Sequence, residues 1–142
     1  MTARILTVLT LAVTMTGVAW AGGDDEGRQC RPTTLKGSYV FTATGFNIVN
    51  GVAVPKAIIE LIDFHGDGTL TVRGGTLNVN GAPSAIQPGT GDYTLAEDCT
   101  GTVVFIPGPR FNTVFEADGK NGWMIQTLPS GVFQGTVKLL RP

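Results

Sequence analysis

From Leu35 onward the chain alternates short β-rich runs with Gly, Pro, Asn and Asp punctuation. The runs are Gly37–Gly45, Ala57–Phe64, Thr69–Arg73, Thr76–Val79, Asp92–Leu95, Gly101–Ile106, Arg110–Ala117, Gly122–Thr127 and Gly131–Leu139. Turn signals separate them at His65-Gly66-Asp67-Gly68, Asn80-Gly81, Asp118-Gly119 and Pro129-Ser130-Gly131. Runs of this kind predict strands. The Pro-containing stretch Gly81–Gly91 reads as a loop. No long window carries a helical period, and the many glycines oppose one. About eight strands joined mostly by hairpin-length connections predict an all-β fold: a single antiparallel up-and-down barrel, whose closure removes exposed strand edges.

Alternation along a strand assigns its two faces. Tyr39, Phe41 and Ala43 share one face of the first run, against Ser38, Val40 and Thr42. In the second, Ile58, Glu60, Ile62 and Phe64 oppose Ile59, Leu61 and Asp63, so both faces are largely apolar. Phe111, Thr113 and Phe115 oppose Asn112, Val114 and Glu116, and Phe133, Gly135 and Val137 oppose Val132, Gln134 and Thr136. An apolar barrel exterior calls for cover, which makes a homo-oligomer an expectation.

The start of the chain has a different pattern. Arg4 is the only charge before Asp24, Ile5–Val18 is uncharged, and Ala19-Trp20-Ala21 has the small-x-small form of a cleavage site. Residues 1–21 thus read as a secretory signal peptide. The stretch is Thr-rich, shorter than a membrane-spanning helix and followed by acids, so no membrane span is expected in the mature chain. Residues 22–34 read as a flexible acidic lead-in, and 35–142 as one barrel domain. The expected destination is the periplasm or the exterior.

Ten basic residues face eleven acidic ones, with no basic run. Nucleic acid is therefore not an expected partner. Cys30 and Cys99 are the only cysteines, and an exported chain meets an oxidising compartment, so a structural disulfide is expected. Their spacing is not that of a redox or metal motif, and no metal site or cofactor is expected.

Candidate chemistry is sparse. His65, the only histidine, lies in a Gly-rich turn near Asp63 and Asp67. That turn lacks the further oxygen ligands of a calcium loop, and no G-x-S-x-G elbow offers His65 a nucleophile. Glu60 is the strongest acid candidate, because a carboxylate among Ile58, Ile62 and Phe64 would face an apolar interior. There it could act as an acid or anchor a ligand's polar group, unless Arg73 or Arg110 pairs with it. No catalytic residue is assigned beyond this weak candidacy of Glu60. Tyr39, Phe41, Glu60, Phe111 and Trp123 form the candidate ligand-binding set, with Asn112, Glu116 and Gln126 as further polar candidates.

Gly37-Ser38-Tyr39 is similar to the G-x-W/Y opening of calycin-type barrels, where the aromatic ring plugs the barrel base. Gly91-Asp92-Tyr93-Thr94-Leu95 is followed by Asp98-Cys99-Thr100-Gly101-Thr102, an Asp-Gly turn, Ile125-Gln126-Thr127 and a closing Gly-x-Val strand. Together these resemble a family of small secreted bacterial proteins of unassigned function, from Gly37 to Lys138. The turn Phe64-His65-Gly66-Asp67-Gly68 fits the same pattern, with His65 where an acid is commoner. The resemblance implies an eight-stranded, calycin-like barrel of the lipocalin or allene-oxide-cyclase type, and it carries over no catalytic residues.

Barrels of this size hold either their own side chains or one small ligand. The first expectation is a non-catalytic binder of an apolar small molecule. A cyclase- or isomerase-like enzyme acting in the cavity is the second. A solid barrel with a structural or interaction role is the third.

Overall fold

The computed structural model describes residues 29–142. The leader and most of the acidic segment read from the sequence lie outside these residues. Nine strands form one antiparallel sheet: β1 (Lys36–Val49), β2 (Val52–His65), β3 (Thr69–Val79), β4 (Ala82–Ile86), β5 (Gly89–Leu95), β6 (Thr100–Ile106), β7 (Arg110–Phe115), β8 (Asn121–Gln126) and β9 (Gly131–Arg141). Each strand pairs with its sequence neighbour, except that β3 passes over β4 to pair with β5, and β9 returns to β1. The result is a closed eight-stranded up-and-down barrel with β4 as an extra strand outside the ring.

Two hairpins extend this barrel beyond the sequence expectation. At Asn50-Gly51 and at Asn80-Gly81 both residues have positive φ, the turn chemistry that matches strand twist in two-residue hairpins. The first turn lets β1 and β2 pair all the way from Lys36↔His65 to Val49↔Val52. The second folds β4 onto the far half of β3, from Val79↔Ala82 to Gly75↔Ile86. The stretch expected to be a loop from Gly81 to Gly91 is therefore mostly strand. It shows no alternation because β4 is an exposed edge with no buried face to signal.

The runs expected as two strands, Thr69–Arg73 and Thr76–Val79, are one. Between Ile62↔Val72 and Leu61↔Gly74 the register shifts, leaving Arg73 as an extra residue in a β-bulge. Beyond the bulge β3 leaves β5 and takes β4 as its partner.

The barrel interior has two layers. In the half where β1 begins, Tyr39, Phe64, Tyr93 and Phe115 pack edge to face around Phe64, with centroid separations of 5.1, 5.0 and 6.2 Å. This end is closed. Cys30 and Leu35 are buried beneath it. Tyr39 donates its hydroxyl to the carbonyl of Gly119 (2.9 Å), and Tyr93 donates to the carbonyls of Pro32 (2.8 Å) and Leu35 (3.1 Å). The last three residues of the lead-in, Pro32–Thr34, form a 3-10 turn. The expected disulfide joins Cys30 to Cys99 across 69 positions and fastens this plug to the β5–β6 turn.

Candidate functional site

The other half of the barrel is hollow. A cavity of about 360 Å³ lies above the Phe64 layer, bordered by Lys56 of β2, the β4–β5 segment and the β6–β7 turn. That volume is at the small end of the range for small-molecule sites, roughly 300–1,000 Å³. Phe41 of β1, Phe105 of β6, Phe111 of β7 and Phe133 of β9 form its aromatic wall. Phe111 is central to them, at 5.6 Å from Phe41, 5.8 Å from Phe105 and 6.4 Å from Phe133. Ile58 of β2, Val72 and Leu77 of β3 and Ile86 of β4 supply the aliphatic side.

Glu60 is the acid in this wall. The β2 alternation that buries Ile62 and Phe64 turns Glu60 inward as well, leaving it 6% exposed. Its backbone lies between Phe41 of β1 and Gly75 of β3. The absence of a side chain at Gly75 is what allows this approach: an added Cβ would collide with the carbonyl oxygen of Ile59 and lie 2.8 Å from Glu60 Cα. Glu60 Oε1 is buried and has no hydrogen-bond partner among the described residues. Burial in this apolar setting pushes the carboxyl up to about 7, against a smaller downward pull from Lys56. The ion pairs considered from sequence do not form. Arg73 lies outside the barrel, with its Nε 3.8 Å from Asp63, and Arg110 is exposed on the outward face of β7.

Among the described residues Lys56 is the one cation lining the cavity. It stands half-buried on the same face of β2, with Nζ 4.3 Å from the centre of the Phe133 ring. Burial lowers its pKa, opposed by the charge of Glu60. Lys56 lies just outside the run Ala57–Phe64 read from the sequence, because β2 begins earlier, at Val52. Carrying the Ile58–Glu60 parity two residues back places Lys56 inward. The same parity argument on β9 finds Phe133.

The structure brings Phe41, Glu60 and Phe111 together and separates the other two ligand-binding candidates from them. Tyr39 is fully buried in the closed end, its hydroxyl raised to about 12, chiefly by burial. Trp123 faces outward from β8 and is 51% exposed, beside Val114 and Ile125 in a shallow exterior concavity. Its strand alternates so that Gly122 and Met124 point inward instead. Asn112 and Glu116 are exposed, and Glu116 accepts a hydrogen bond from Asn121 Nδ2. Gln126 sits by the β8–β9 turn, where its Nε2 donates to the Leu128 carbonyl.

The Asp63, His65 and Asp67 side chains do not converge. Asp63 accepts from the Ser38 hydroxyl (2.6 Å), while Asp67 accepts from the amide and hydroxyl of Thr69. With its proton given to Asp67, the Thr69 hydroxyl accepts from His65 Nδ1 (2.9 Å), which leaves His65 Nε2 to accept from Thr71 (3.2 Å). Both ring nitrogens are thus engaged in the turn's own network. Among the described residues no group of three or more His, Cys, Asp or Glu could hold a metal ion. No helix among them is long and apolar enough to cross a membrane.

No family model matches the sequence, and neither a curated protein nor a solved structure matches it.

Proposed function

We propose that this protein is an exported calyx that binds an apolar small molecule in the open half of its barrel, without turnover. The observation that carries the reading is the cavity of about 360 Å³, apolar on nearly all sides and holding one unpartnered carboxyl. Sites with a mostly apolar lining and a few polar groups are what small hydrophobic ligands require. Export is supported by the leader pattern of residues 1–21 and by the Cys30–Cys99 bridge. Kinship with lipocalin-like or allene-oxide-cyclase-like barrels belongs to the same proposal, supported by the barrel topology and by Tyr39 plugging the base. In the same reading a second copy of the chain covers the exterior residues Val114, Trp123 and Ile125.

The uncharged fluorophore N-phenyl-1-naphthylamine tests the binding. It should brighten with the native protein and do so saturably. Ile58→Trp and Ile86→Trp each place an indole in the cavity from a half-buried wall position. Either should cut probe affinity at least about tenfold while leaving the melting profile two-state. Undiminished binding in both folded variants would move the probe to the outer surface and sink the proposal.

A further inference from the structure

The cavity's two ionisable groups restrict what its occupant can be. Two buried side-chain atoms among the described residues lack a hydrogen-bond partner, Glu60 Oε1 and Thr113 Oγ1, and only the first belongs to a residue lining the cavity. A buried polar group left unpartnered costs about 1–3 kcal/mol, so a ligand toward which the carboxyl can turn and hydrogen-bond is favoured over one that offers it no partner. The charge of that ligand follows from the surroundings. The strands flanking Glu60 present Phe41 and Gly75, neither of which titrates. Across the cavity the remaining lining is apolar or uncharged, except for Lys56.

A ligand ammonium would bring a second cation into the low-dielectric space that Lys56 already occupies over Phe133. A ligand carboxylate would find Lys56 as a partner but would leave Glu60 facing a second acid. A neutral acceptor meets neither penalty, and it matches a buried carboxyl in its uncharged form, which has a proton to donate. We infer that the cavity selects an uncharged apolar molecule carrying a carbonyl oxygen, which accepts a hydrogen bond from the carboxyl of Glu60. This inference rests on the binding reading above and names its ligand class.

Four compounds on one phenylbutane frame test it by displacement of N-phenyl-1-naphthylamine: butylbenzene, 4-phenylbutan-2-one, 4-phenylbutylamine and 4-phenylbutanoate. At pH 5.5 the ketone should bind about tenfold more tightly than the hydrocarbon, and more tightly than either charged compound. Because only the protonated carboxyl donates, that advantage should disappear by pH 8.5. Glu60→Gln keeps a donor without a titration, so the ketone preference should survive at both pH values. Glu60→Leu should abolish it and strengthen butylbenzene. Equal binding of ketone and hydrocarbon at pH 5.5, or a preference for the amine that grows with pH, would overturn the inference while leaving the calyx standing. Failure of the fluorophore itself to bind would remove both.

Discussion

A carboxyl that prefers to stay protonated leaves a mark on stability as well as on binding. The unfolded chain releases the Glu60 proton near 4.5, and the folded chain holds it to about 7. The folded state therefore binds more protons between those values, and stability falls as pH rises through that window. The contribution is fully present below 4.5, is lost across the interval and stays lost above 7. By linkage the difference is about 3 kcal/mol. Glu60→Gln should therefore melt appreciably above the native protein at pH 8, with the gap closing by pH 4.5, when thermal unfolding is followed at both. Residue-level chemistry of this kind was partly legible in the sequence. Alternation placed Glu60 with Ile58 and Ile62, but it could not show whether an arginine on another strand would reach it. Other residues gave no such cue. Cys99 takes a positive φ of 67°, in a turn where it follows Asp98 as Gly68 follows Asp67 and Gly119 follows Asp118. Only the geometry shows a cysteine standing where the sister turns use glycine.

Among the elements, β3 does the most to shape the site. Its first half is an ordinary barrel stave between β2 and β5, and its second half exchanges β5 for β4. The change of partner leaves a gap in the ring, walled by Ile86 and the segment leading into β5, and the cavity extends there. Gly74 and Gly75 make the change possible, Gly74 through its φ of 130° and Gly75 through its close approach to β2. Gly75→Ala should force β2 and β3 apart beside Glu60, lowering stability by about 1–3 kcal/mol and weakening probe binding in the same variant. Urea unfolding and fluorophore titration measure the two effects. The period-two pattern read most strands correctly because one face of each is buried. It failed at β4 and at the outer ends of β1 and β2, where both faces meet solvent and only an Asn-Gly turn marks the hairpin. The free edge of β4 is short and contains Pro83, which cannot donate to another strand, so closure of the ring has left little that a foreign strand could extend.

The molecule as a whole has a sealed end and an open one. The seal is made by chain that precedes the first strand, held by Cys30–Cys99, by the Tyr93 hydroxyl on the carbonyls of Pro32 and Leu35, and by the amide of Cys30 on the carbonyl of Glu97 (3.1 Å). The bridge closes a long loop, so the double variant Cys30→Ser with Cys99→Ser should be less stable by about 4 kcal/mol in urea, if loop entropy governs. An undiminished midpoint would assign the seal to Tyr93 and the buried Leu35 instead. The pair of cysteines announced a disulfide, and the run of short strands a barrel. That the bridge serves as the fastening of a plug depends on where Cys99 falls in the ring of turns, which no local pattern encodes.

One consequence of the plug concerns traffic. A tube open at both ends can pass a molecule along; this barrel, stoppered by Tyr39, Leu35 and Cys30 at its base, cannot. A ligand of the proposed kind, entering through the mouth beside Lys56, would have to leave on the same side, tail-first if it went in head-first. On the binding reading proposed above, the protein would serve as a flask rather than a conduit, and delivery from it would require the receiver to come to the rim.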